Sequence, residues 1–171
     1  ARGLIMSKPP LYTWLAGLAS LVLGRVTWFT LCLPSGLATL GTAWVVLALG
    51  RKRWSWQAGF WAAFAYLMSP MTGKQVALVR TDSVFTLMVA LTALAALVAW
   101  ERGRGWTWFW LAAAAATLTK GPAGVVLGAA GLAAVFWERR SGQPAALRGN
   151  HIWGLALYGV VTLGWFGLAV A

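Results

Sequence analysis

From Leu31 to Leu49 the chain carries no charged side chain, and the same holds from Val84 to Trp100 and from Ile152 to Ala171. A helix needs about 20 apolar residues to cross the hydrocarbon of a bilayer. Backbone placed there must satisfy its own hydrogen bonds, so runs of this kind are expected to be helices. Three shorter uncharged runs follow the same rule: Ala58–Met68, Trp106–Leu118 and Ala123–Trp137. Flanking residues such as Gln57, Ser69 and Thr119 are expected to lengthen the short ones. The reading is an all-α, polytopic transmembrane helical bundle, a single domain over 1–171 with about six spans from 31 to 171. Leu11–Leu23 is shorter, and is either a strained span or an interfacial helix. Composition agrees: 60% hydrophobic against 10% charged residues leaves too little polar surface to cover a soluble domain of 171 residues.

A net charge of +11 would point to nucleic acid in a soluble chain. Here the cations are scattered through short loops, with no basic face to follow a phosphate backbone. No nucleic-acid partner is expected. Cys32 is the one cysteine and His151 the one histidine, which leaves no internal disulfide and no cysteine metal cluster. No glycine-rich nucleotide loop or serine triad is visible. The chain lacks an initial methionine and stops inside an apolar run, so it is expected to be an internal piece of a longer protein.

The loops alternate between two kinds. GRKRW, ERGRG and ERRSGQPAALRGNH hold Arg51, Lys52, Arg53, Arg102, Arg104, Arg139, Arg140 and Arg148, whereas MTGKQVALVRTD and TKGP hold Lys74, Arg80 and Lys120. Eight cations against three place the first kind in the cytoplasm by the positive-inside rule. Trp54, Trp56, Trp100, Trp106, Trp108, Trp137 and Trp153 flank these loops as an aromatic belt would. Residues 7–24 then form an outer-face interfacial helix, and Lys8, Asp82 and Lys120 share the outer face.

Three short motifs on that face carry the chemistry. In Lys8-Pro9-Pro10-Leu11-Tyr12 the prolines set where a helix starts. Lys8 stands at its N-terminal end, where the dipole already favours anions. A cation there suggests a phosphate, or else a lysine snorkelling to the headgroups. In Arg80-Thr81-Asp82-Ser83, Asp82 is the only outer-face acid, since Glu101 and Glu138 fall in cytoplasmic loops. Asp82 either caps the following helix or pairs with Arg80, Lys74 or Lys8 to orient a base or hold a sugar hydroxyl. In Thr119-Lys120-Gly121-Pro122, Gly-Pro ends one helix and opens the next. Cations gathered with one carboxylate suit a lipid-linked phosphate, whose leaving-group charge lysines stabilise. Two other classes compete. A transporter or channel subunit would carry charges within spans and broken helices in matching halves, and neither is seen. A non-catalytic membrane module that binds lipid phosphate through Lys8 needs no acid at all.

KPPLYTWL, LPSGL, RTDS and LTKGPAG stand in an order and spacing that resembles the PMT-like, aminoarabinose-transferase-like membrane glycosyltransferases over nearly the whole chain. The resemblance implies a type C glycosyltransferase fold. It also implies transfer of a sugar from a polyprenyl-phosphate-linked donor to an acceptor (lipid A, protein or another glycan), with inversion at the anomeric carbon. The site implied is the outer face of the bacterial inner membrane. By resemblance, Lys8 meets the lipid phosphate with Tyr12 nearby, and Lys120 matches the lysine of the family's TKG turn; Lys120, and Arg80 as the neighbour of Asp82, are assigned to the substrate site. Asp82 matches the family's second outer-face aspartate, and with Lys8 forms the catalytic pair. The family's acceptor-activating acids lie in an Asp-Glu motif upstream of KPPLY, which would precede Ala1. Two positions depart from the pattern. Ser7 stands where the family often has a metal-binding glutamate, so no cofactor and no metal ligand are assigned. Cys32 stands where the family often has arginine before LPS, with Arg25 seven residues earlier.

Overall fold

The computed structural model describes residues 10–130 and 151–170, and there the chain is helical throughout with no strand. In chain order the helices are α1 (Leu11–Val22), α2 (Trp28–Arg53), α3 (Trp56–Met68), α4 (Pro70–Ala77), α5 (Asp82–Arg102), α6 (Trp106–Lys120), α7 (Ala123–Ala130) and α8 (His151–Val170). The chain divides into two compact units, one from Pro10 to Ala90 and one from Leu91 onward, so that the first turns of α5 belong to the first unit and the rest to the second. Among the described residues two helices, α2 and α5, are long and apolar enough to cross a membrane.

The helix boundaries follow local chemistry. Pro10 caps α1, and its carbonyl accepts the Trp14 amide at 2.9 Å. α1 ends in a Schellman motif: Gly24 N–H donates to the Leu21 carbonyl and Arg25 N–H to the Ser20 carbonyl, with Gly24 left-handed at φ 67°. α2 opens on a capping box in which the side chains of Thr27 and Thr30 each accept the other's amide. Ser55 caps α3 by accepting the Ala58 amide at 3.1 Å. Gln57 and Thr119 do extend their helices. Ser69 does not: it is extended at ψ 125°, because the proline that follows disfavours a helical conformation there. Pro70 then opens α4, a helix the apolar runs alone did not announce, with the proline at its first turn.

Polarity runs inside out along α2. Thr30, Ser35, Thr39 and Thr42 are buried, while Leu37, Leu40 and Trp44 are exposed. In water that arrangement is costly. In lipid, where the surroundings are as apolar as leucine, small and hydroxyl residues make the helix contacts. The α2–α3 crossing is the tightest case. A Cβ on Gly50 would lie 2.5 Å from the Gly59 Cα, and one on Gly59 would lie 2.6 Å from the Leu47 carbonyl oxygen.

In the first unit Tyr12, Ala16, Ala38 and Val84 form the core, drawing α1, α2 and the start of α5 together. In the second, Ala96, Ala99, Trp106 and Phe109 do so. There α6 packs on α8: the Trp106 ring lies 4.7 Å from that of His151, and the Thr117 and Tyr158 hydroxyls are 3.2 Å apart.

Candidate functional site

The start of α1, the middle of α2 and the loop before α5 are joined by one hydrogen-bond network. Pro34 lies inside α2 and has no amide to give the Thr30 carbonyl. One residue on, the Leu31 carbonyl accepts from the Tyr12 hydroxyl at 2.8 Å. The same hydroxyl stands 3.0 Å from Ser35 Oγ, and Ser35 Oγ donates to the Arg80 carbonyl at 3.0 Å. Thus KPPLY, LPSGL and RTDS, separate in sequence, meet through Tyr12, Ser35 and Arg80. Both hydroxyl residues are buried. Burial pushes the Tyr12 phenol above its ordinary value, with the Ser35 hydrogen bond acting the other way. It is a proton donor at neutral pH.

Proton counting sharpens this. Two hydroxyls bring two protons, yet there are three oxygen–oxygen contacts, to the Leu31 carbonyl, between the hydroxyls, and to the Arg80 carbonyl. One contact is therefore always without its proton, and three proton arrangements compete.

The loop from α4 to α5 is strained where it delivers Arg80. α4 ends in the same Schellman geometry as α1: Val79 N–H donates to the Val76 carbonyl, and Arg80 N–H to the Gln75 carbonyl. The left-handed position is held by Val79 at φ 52°, not by glycine. A β-branched residue there is a conformational outlier. It is held by packing against the core of the first unit and by the Ser35 bond one residue on.

Arg80 and Asp82 flank this anchor. The Arg80 guanidinium is 4.0 Å from Asp82 Oδ2, with side-chain exposures of 54% and 24%. Asp82 is the first residue of α5, where the helix dipole favours a carboxylate. Thr81 precedes it, and its carbonyl accepts the Phe85 amide at 3.0 Å. Behind Asp82, Ser83 is fully buried, and its hydroxyl has no partner among the described residues.

Two cavities flank α1. One, of about 530 Å³, is apolar and runs between α1, α2 and the start of α5, lined by Leu15, Leu18, Pro34, Leu37, Val84 and Leu87 among others. The other, of about 600 Å³, is edged by Thr13, Ser20 and Arg25. Arg25 therefore faces a cavity at the α1–α2 turn.

Of the residues marked by sequence, Tyr12, Arg80 and Asp82 are brought together in the first unit. Lys8 and Ser7 lie outside the described residues. Lys120 closes α6 in the second unit, where its charge suits the helix C-terminus. Gly121 caps that helix at φ 80°, as the Gly-Pro pair foretold. Among the described residues no three His, Cys, Asp or Glu side chains gather as a metal site. Sequence reasoning passed over Ser35. Its signal was present, a serine directly after a proline within an apolar run, where broken helix bonds call for side-chain donors.

The described residues thus form a helical membrane bundle in which three motifs separated in sequence meet at one charged loop. The chain belongs to the dolichyl-phosphate-mannose-protein mannosyltransferase family, whose model matches residues 7–165. It is thus of the membrane glycosyltransferase class. No curated protein and no solved structure matches it.

Proposed function

We propose that this chain forms part of a glycosyltransferase that moves a sugar from a polyprenyl-phosphate donor to a lipid, protein or glycan acceptor at the outer face of the bacterial inner membrane. The observation that carries the reading is the joining of Tyr12, Ser35 and Arg80 beside an apolar cavity that shares α1, α2 and α5 with them. A polyprenyl phosphate has this two-part chemistry. Its isoprenoid chain suits the apolar cavity, and its phosphate suits the cations of the KPPLY and RTDS motifs, Lys8 and Arg80.

In the reaction an acceptor hydroxyl attacks the anomeric carbon from the face opposite the phosphate. The bond from that carbon to the phosphate oxygen breaks, and its electron pair leaves on the lipid phosphate. The hydroxyl proton passes to a base, which the resemblance places in the acidic motif upstream. Lys8 and Arg80 offset the charge that grows on the leaving phosphate. Asp82 holds Arg80 or a sugar hydroxyl in place. Lys120 is assigned to the leaving phosphate as a second lysine on its sequence motif alone.

The test uses the full-length enzyme in proteoliposomes with a radiolabelled polyprenyl-phosphate sugar. Release of polyprenyl phosphate is expected, with kcat reduced about 100-fold or more in Lys8→Ala and Asp82→Asn, in the range seen when a charge-stabilising group is lost. Unchanged turnover in both variants would overturn the assignment.

A further inference from the structure

At the turn from α5 to α6, in the second unit, lies a cavity of about 260 Å³ that the proposed transfer reaction does not use. Ala95, Val98 and Ala99 form its apolar wall, and Arg102, Arg104, Gly105 and Trp108 its mouth. The wall and Arg102 fall at i, i+3, i+4 and i+7 of α5, one continuous face. Gly103 and Gly105 are left-handed, at φ 65° and 98°. They turn the chain tightly enough to set Arg104 and Trp108 beside Arg102 around one opening. The acid of this turn, Glu101, is not among the residues lining the cavity.

We propose that this cavity binds the headgroup of an anionic membrane phospholipid. Two arginines line the opening and no carboxylate does, and a guanidinium offers the planar fork that fits phosphodiester oxygens. The apolar wall leads from the arginines along a helix long enough to cross the bilayer, so an acyl chain lies against it. Trp108 is 71% exposed, as an indole at the headgroup level would be. The volume is below the roughly 300–1,000 Å³ of a drug-sized site, so it takes a headgroup and not a whole lipid. Basic pockets beside membrane helices on the cytoplasmic side hold acidic headgroups by this chemistry. The loop charge pattern puts ERGRG on that side.

The inference is independent of the transfer reaction, and its test reads lipid rather than activity. Full-length protein is purified in mild detergent, mixed with phosphatidylglycerol or phosphatidylcholine, and weighed by native mass spectrometry. Phosphatidylglycerol is expected to be retained about tenfold better than phosphatidylcholine. Arg102→Gln with Arg104→Gln is expected to abolish the preference, whereas Arg51→Gln with Lys52→Gln, which removes the same charge elsewhere, leaves it. If the glutamine pair does not fold, Arg102→Lys with Arg104→Lys keeps the charge and is expected to lower retention about threefold through loss of the fork geometry. Equal retention of the two lipids by the wild type would overturn the proposal. So would a preference that survives in the glutamine pair, or one that is undiminished in the lysine pair where that one is read.

Discussion

Tyr12 and Ser35 show how much two hydroxyls can organise. Removing either leaves a buried carbonyl or hydroxyl without a partner, so Tyr12→Phe and Ser35→Ala are each expected to destabilise by about 1–3 kcal/mol. Because they share contacts, the double variant should lose less than the sum, with a coupling of about 0.5–1.5 kcal/mol in thermal unfolding in detergent. Val79 gives a different kind of prediction. A left-handed L-residue costs about 1–2 kcal/mol. Glycine there relieves that but adds about 0.5–1 kcal/mol of chain entropy, and it forfeits Val79's packing on the core. These nearly cancel, so Val79→Gly should leave stability within about 1 kcal/mol while loosening the loop that carries Arg80. Turnover that falls without a matching fall in Tm would separate positioning from folding. At this scale the sequence disclosed the charged residues well. Arg80 and Asp82 stand out in an apolar chain by charge alone. Ser35 did not, because a serine in a membrane helix has many uses, and only the approach of Tyr12 and of the Arg80 carbonyl gives it one.

Helix pairs here are specified by what is missing. At the α2–α3 crossing the groups a Cβ would strike are backbone atoms, which cannot rotate away. Gly59→Ala is therefore expected to destabilise by about 1–3 kcal/mol through overpacking. At Gly73 in α4 an added Cβ would enter open space, with no neighbouring atom within 4 Å. Gly73→Ala is accordingly expected to be neutral or to stabilise by about 0.5–1 kcal/mol. Opposite signs in Tm for the same chemical change would confirm that space decides. The elements themselves were legible. Uninterrupted apolar runs coincide with α2, α3, α5, α6 and α8, and helix ends fall within a few residues of them. α4 was hidden because it is short, polar at Thr72, Gln75 and Lys74, and made by Pro70 rather than by apolar periodicity.

For the whole molecule, the loop charges make a claim about sidedness. With Cys32→Ser as background, single cysteines at positions 8, 82 and 120 should react with a membrane-impermeant thiol reagent on intact cells, and one at position 52 should not. Labelling at 82 only after the membrane is broken would separate Asp82 from the outer face and leave it a helix-start residue. Membership of the mannosyltransferase family agrees with the transfer chemistry that the motifs implied. Their convergence was beyond sequence reading, because it depends on contacts across 23 and 45 residues of chain.

The count of two protons for three contacts has a mechanical consequence. When the Arg80 carbonyl lifts away, the proton that Ser35 gave it turns to the Tyr12 oxygen, and Tyr12 still serves Leu31. Nothing buried is orphaned by the departure. The loop bearing Arg80 and Asp82 is thus fastened at a carbonyl whose release would leave the Tyr12 and Ser35 hydroxyls bonded to each other and to Leu31.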